Sequence, residues 1–135
     1  IIIVFVFCLV VAGAQPESYI TVGVDRSKWK ELEWSAYLAE EMGGVAEYRF
    51  ADESRADIMT DSRVWEVDWV TKWPQGVGQA TYYGLIADKP CGLILLVKNR
   101  RTEKAHIIRA MAVCRKLGIE IRTTKPKNVK PHSYV

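Results

Sequence analysis

Residues 64–70 read VWEVDWV, and this stretch decides the fold of the chain. Because successive side chains of a β-strand point to opposite faces, its two tryptophans share one face while Glu66 and Asp68 share the other. A strand otherwise this apolar belongs in the interior, where two adjacent carboxylates are costly to bury unless a cation or hydrogen-bond donors compensate them. We therefore expect an interior strand with an acidic site on one face. The alternative is an amphipathic strand whose acidic face is open to water.

A second acidic strand precedes this one. Asp57 lies among apolar residues in the run 56–60, and antiparallel pairing of neighbouring strands brings it to the same place as Glu66 and Asp68. Clusters of carboxylate oxygens favour hard cations, so these three residues are predicted to bind Mg²⁺ or Mn²⁺. Lys72, four residues beyond Asp68, is the candidate ammonium that positions or activates a water molecule at such a site.

The other elements follow from hydrophobic periodicity and from the residues that end each run. Helices are predicted at 29–42, from Pro74 to the Lys89-Pro90 stop, and at 103–117, and strands at 45–50, 56–60, 64–70, 93–97 and 119–123. Asp25 or Ser27 is expected to cap the first helix. The order α-β-β-β-α-β-α-β predicts an α/β fold with a mixed central sheet flanked by helices.

The chain has 135 residues, of which 49% are hydrophobic, and this length favours one domain, predicted at 29–124. Residues 1–14 form an apolar run with a small-residue end, typical of a signal peptide that would direct the protein to the periplasm or the exterior. A translated upstream fragment or a buried element is the alternative, with a cytoplasmic location. The run is too short for a stable membrane span. Residues 15–28 are expected to be a lead-in and 125–135 a basic tail.

The net charge of +3 does not by itself indicate a nucleic-acid-binding protein, but the basic residues are unevenly distributed. They concentrate in two clusters, one with Lys98, Arg100, Arg101 and Lys104, the other with Lys125, Lys127 and Lys130. Either cluster can contact phosphates or simply face water. Arg55, beside Asp57, and Trp73, at the end of the acidic strand, are further candidate nucleic-acid contacts.

The sequence RADI at 55–58, a short hairpin and then WEVD at 65–68 resemble the motif of the PD-(D/E)XK nuclease superfamily. Restriction endonucleases and Holliday-junction resolvases belong to this superfamily. The resemblance covers residues 29–123 and includes the αβββαβ core, so it implies a restriction-endonuclease-like fold. By the same resemblance, Asp57 matches the first metal-binding aspartate and Glu66 the glutamate of the E-x-K element.

The resemblance also implies a function, a Mg²⁺- or Mn²⁺-dependent DNA endonuclease that hydrolyses phosphodiester bonds. Its small members often act as homodimers. Glu33 matches the acidic residue of the family's first helix, and Gln79 with Tyr83 matches a Gln-x-x-x-Tyr pattern on the second. The chain departs from the family at Asp68, where a lysine is usual, and Lys72 is the candidate for a displaced lysine. The alternative is an inactive domain of the same fold that binds nucleic acid or another partner.

Overall fold

The computed structural model describes residues 26–124, which form three helices and five strands. In chain order they are α1 (Glu31–Glu41), β1 (Val45–Arg49), β2 (Arg55–Met59), β3 (Val64–Trp69), α2 (Trp73–Ala87), β4 (Cys91–Leu96), α3 (Lys104–Leu117) and β5 (Glu120–Thr124). This is the predicted order. The predicted leader at 1–14, most of the lead-in and the basic tail at 125–135 lie outside the described residues.

The strands form one sheet in the order β1-β2-β3-β4-β5. The pairs β1–β2 and β2–β3 are antiparallel, whereas β3–β4 and β4–β5 are parallel. The sheet is therefore mixed and flanked by helices, and the predicted α/β class is confirmed. Strand β4 lies between two parallel neighbours and is buried from Gly92 to Leu96, which explains its uninterrupted apolar sequence.

Each face of the sheet has its own apolar core. On one face α1 packs Trp34 and Leu38 against Trp65 and Val67 of β3. The opposite face carries a second cluster, which includes Leu93 and Leu95 of β4 and the buried residues of α3. Because β3 alternates, its acidic residues turn to this second face, toward α2, as the sequence pattern predicts.

The start of α1 differs from the prediction. Lys30 occupies the N-cap position, and a 3₁₀ turn at Arg26–Lys28 precedes it, so the N-cap is not at the predicted Ser27. The Lys30 backbone N–H instead donates a 2.6 Å hydrogen bond to the Glu33 carboxylate. Asp25, the other predicted cap, lies outside the described residues. A glutamate three residues after the N-cap satisfies one of the N–H groups that the first turn of a helix leaves unpaired.

The turn after β3 places the residues that follow the acidic strand. A 3₁₀ turn at Val70–Lys72 leads directly into α2, whose first turn contains Pro74, where the missing backbone N–H has no consequence. Buried Val70 anchors this turn in the core. Within residues 26–124, no helix is long and apolar enough to cross a membrane.

Candidate functional site

A cavity of about 300 Å³ opens on the α2 side of the sheet, where β2 and β3 separate. The two strands pair at Ile58–Trp65 and Met59–Val64, and beyond these pairs the ladder gives way to the cavity. Its wall is almost entirely polar. It contains seven residues that the sequence singles out, Arg55, Asp57, Glu66, Asp68, Lys72, Gln79 and Tyr83, together with Glu31, Val67 and Gln75.

Asp57 takes part in the backbone structure at the point where the strands separate. Its Oδ2 accepts a 2.7 Å hydrogen bond from the Val67 N–H, so the side chain occupies a place that a strand carbonyl would otherwise fill. Burial raises the pKa of Asp57 to about 6, although this hydrogen bond to Val67 opposes the shift. The carboxylate is thus fixed in position and partly withdrawn from water.

Glu66 is the most strongly perturbed acid of the cavity. It is 6% exposed, and its Oε2 has no hydrogen-bond partner within residues 26–124. Burial, and next the negative charges of Asp57 and Asp68, raise the pKa of Glu66 to about 9. At neutral pH this side chain therefore holds a proton unless a cation is present, and a buried oxygen without a partner is unfavourable in either form.

Asp68 completes the acidic set. It is 4% exposed, and its Oδ1 accepts a 2.8 Å hydrogen bond from the Trp69 N–H. Burial and the charge of Glu31 raise the pKa of Asp68 to about 7, whereas Lys72 acts in the opposite direction. Gly76 of α2 permits this arrangement, since a Cβ there would lie 3.4 Å from the Asp68 Cβ and 2.8 Å from the Leu93 side chain.

Helix α1 contributes Glu31 to the cavity, whereas the sequence pointed to Glu33. The Glu33 carboxylate accepts the hydrogen bond from the Lys30 N–H on the exposed side of the helix. Glu31, two residues earlier, lines the cavity and forms a 3.1 Å salt bridge with the Lys72 ammonium. A glutamate at the third helical position is the one that turns back to the N-cap, so the choice between Glu31 and Glu33 depends on where α1 begins.

Lys72 lies at the mouth of the cavity with its ammonium bound to Glu31. This hydrogen bond, together with the charges of Glu31 and Asp68, raises the pKa of Lys72. The side chain therefore stays protonated at neutral pH. It is able to donate hydrogen bonds and to attract anions, and it is a poor acceptor of protons.

Two further charged residues, Arg55 and Glu47, affect the pKa of Asp57. Arg55 lines the cavity, and its Nε lies 2.7 Å from Oε2 of Glu47 on β1. Glu47 adopts a left-handed backbone conformation with φ of 56°, which is uncommon for a residue other than glycine. Glu47 raises and Arg55 lowers the pKa of Asp57, so the two act in opposite directions. Gln79 and Tyr83 form part of the cavity wall that α2 contributes.

The remaining predicted nucleic-acid contacts lie elsewhere. Trp73 is half-buried against the core cluster around Val70 and does not line the cavity. Arg100 and Arg101 are exposed in the loop that precedes α3. Lys98 lines a separate groove beside the cavity.

The three carboxylates have the chemistry of a divalent cation site but are not drawn together. As they stand, the side chains of residues 26–124 form no group of three that could hold a metal. Two of the carboxylates are engaged by backbone N–H groups, those of Val67 and Trp69. A positive charge bound in the cavity would nevertheless provide a partner for the Glu66 oxygen and lower the raised pKa values of all three acids.

Comparison of this chain with protein-family models, with curated proteins and with solved structures finds no match.

Proposed function

We propose that this chain is a Mg²⁺- or Mn²⁺-dependent nuclease that hydrolyses phosphodiester bonds of DNA. The observation that carries the proposal is the environment of Glu66, a buried carboxyl with an unpartnered oxygen between two other acids of raised pKa. Such a cluster is unfavourable for folding by itself, because like charges and burial both oppose ionisation. A divalent cation offsets both, and its oxygen donors would be Asp57, Glu66 and Asp68.

The position of the acids in the fold supports the same proposal. Asp57 and Glu66 lie on two adjacent antiparallel strands, and an α-β-β-β-α-β order surrounds them, in agreement with the motif that resembles PD-(D/E)XK nucleases. We infer a restriction-endonuclease-like fold from this combination. This fold is a more specific assignment than the α/β class. The proposed activity rests on the residues of the site, because one fold can host many functions.

In this proposal each side chain has a defined part in hydrolysis. A cation bound by the three acids would neutralise charge on the phosphate and make a water molecule more acidic. The water oxygen forms a new bond to phosphorus, and the bond from phosphorus to the leaving sugar oxygen breaks. Glu31, the cavity carboxylate outside the ligand set, takes the proton of the water, and solvent protonates the leaving oxygen. Lys72, which stays protonated, orients the phosphate.

One observation favours a second candidate, a nucleic-acid-binding domain of the same fold without catalysis. Asp68 stands where the resembled family usually has lysine, and Lys72 is bound to Glu31 rather than to Glu66 or Asp57. A domain that has lost the lysine can retain the acidic strand for its fold. The two candidates differ in one measurable property, which is cleavage.

The test is cleavage of supercoiled plasmid DNA and of a branched DNA junction by the purified chain with Mg²⁺, with Mn²⁺ and with EDTA. We expect cleavage that requires the metal and disappears in Asp57→Asn. Asp61→Asn, which removes an exposed carboxylate outside the cavity, is the matched control and should cut like the wild type. Absence of cleavage of both DNAs with either metal would exclude the nuclease and leave the binding domain.

A further inference from the structure

A second groove, of about 510 Å³, adjoins the acidic cavity. It lies between the start of α1 and Lys98, two residues after β4, and its wall includes Lys28, Lys30, Leu32 and Trp69. Glu31 lines both the groove and the cavity, so the two adjoin at this residue. A ligand bound at the acids would pass Glu31 to extend into the groove.

The groove is positively charged, in contrast to the cavity. Lys28, Lys30 and Lys98 are exposed, and none of them forms an ion pair with a carboxylate of residues 26–124. Lysines without carboxylate partners along a groove are available to neutralise the phosphates of a nucleic-acid strand. The acidic cavity alone would repel the same strand, so the groove supplies attraction that the site lacks.

The wall of the groove also includes apolar side chains, Trp69 and Leu32 among them. The Lys98 ammonium lies over the Trp69 ring, 4.5 Å from its centre, so a base that stacks on this face takes the place of the ammonium, which is then able to contact a phosphate. Leu32, beside Trp69, is 60% exposed. Aromatic faces flanked by cations are the surfaces on which the bases of single strands stack. In a duplex the faces of the bases are covered by their neighbours, so a paired strand would use only the lysines.

We propose that this groove binds a single nucleic-acid strand adjacent to the phosphate held at the acidic cavity. The lysines contact its backbone, and an unpaired base lies against Trp69 and Leu32. The inference rests on the proposed function in one respect, the placing of a phosphate of the strand at the acidic cavity. Binding in the groove does not require cleavage. It defines the substrate class as DNA with an unpaired segment next to the cleaved bond.

The test is fluorescence anisotropy of a labelled oligothymidine with the full chain in EDTA, over a range of salt concentrations. The double variant Lys28→Ala/Lys98→Ala is expected to bind more weakly and to reduce the slope of log affinity against log salt by about 1.4, which is about 0.7 for each phosphate that the variant no longer neutralises. Leu32→Ala should weaken binding without changing the slope. Lys116→Ala and Leu117→Ala change exposed residues at the end of α3 and serve as matched controls that should bind like the wild type.

A duplex of the same length is expected to bind more weakly than the oligothymidine. Equal or tighter binding of the duplex would overturn the assignment to single strands. Unchanged affinity and slope in Lys28→Ala/Lys98→Ala, or no binding by the wild type, would overturn the groove itself. If the groove variants lose binding while the wild type cuts no DNA, the groove inference stands and the nuclease proposal fails.

Discussion

The Val67 backbone N–H donates a 2.7 Å hydrogen bond to the Asp57 carboxylate, and this bond joins β2 to β3 beyond the last paired residues of their ladder. The same carboxylate faces the acidic cavity. Asp57 thus serves the sheet and the site at once: its oxygen holds the strands together while its charge raises the pKa of Glu66. The two roles can be separated by substitution.

Asp57→Ala should destabilise the fold by about 1–3 kcal/mol, because the buried Val67 N–H loses its acceptor. Asp57→Asn keeps an acceptor oxygen and removes the charge, so we expect a free energy of unfolding at pH 8 equal to or above that of the wild type. Urea denaturation of the three proteins in EDTA measures the difference. Equal destabilisation by both substitutions would mean that the charge, and not the hydrogen bond, is what the fold requires.

Stability in the absence of metal should fall as the pH rises. Glu66 has a pKa of about 9 in the folded protein against a usual 4.5, so between these values the folded state holds more protons than the unfolded state. The free energy of unfolding therefore decreases with pH across that range, and Asp57 and Asp68 contribute in the same direction up to about pH 6 and 7. Urea denaturation at pH 5, 7 and 9 in EDTA measures this dependence.

The control for the pH dependence is Glu66→Gln, which has nearly the same shape and no titrating group. It should show a flatter profile and be more stable than the wild type at pH 9. A wild-type stability that increases from pH 5 to pH 9, or a profile that Glu66→Gln leaves unchanged, would contradict the assignment of a buried, protonated Glu66.

Much of the fold was predictable because its signals are local. The alternation of β3, the apolar run of β4 and the glycines after α1 and α3 set the type and order of the elements. That Asp57 and Glu66 line the same cavity was predictable from strand parity and antiparallel pairing. The sheet order was not available from these patterns, because the pairing of β3 with β4 depends on contacts between residues far apart in the sequence.

The details of the site were less predictable because they depend on single hydrogen bonds. Glu31 and Glu33 are two residues apart, and the choice between them depends on where α1 begins. Trp73 was predicted to contact nucleic acid, yet the turn at Val70–Lys72 directs it against the core. The salt bridge between Arg55 and Glu47 involves a residue in a left-handed backbone conformation, Glu47, and the sequence carries no signal for that conformation.

Gly92 is predicted to be essential for the packing of β4 against Trp65. A Cβ at Gly92 would lie 2.3 Å from the Trp65 ring, a distance that only displacement of the ring or the strand can relieve. Gly92→Ala should therefore destabilise the protein by about 1–3 kcal/mol or more. Gly78→Ala in α2 is the contrasting control, since nothing lies within 4 Å of its Cβ and alanine is the better helix former, so it should stabilise the fold by up to about 1 kcal/mol.

Glu31→Gln should separate catalysis from metal binding. The substitution removes the proposed proton acceptor and releases Lys72, while the three proposed ligands remain in place. We expect DNA cleavage to fall by about 10²–10⁴-fold, the usual contribution of a general base, with Mn²⁺ affinity close to that of the wild type. Glu33→Gln, on the same helix but outside the cavity, should cut like the wild type. Full activity of Glu31→Gln would exclude Glu31 as the acceptor.

Calorimetric titration with Mn²⁺ at pH 7 tests the central claim most directly, because it asks only whether the acidic cavity is a divalent cation site. We predict that the wild type binds Mn²⁺ with release of protons, seen as a heat that depends on the ionisation enthalpy of the buffer, since Glu66 must ionise to become a ligand. Glu66→Gln should lose both the binding and the proton release. No Mn²⁺ binding by the wild type, or equal binding by Glu66→Gln, would contradict the account.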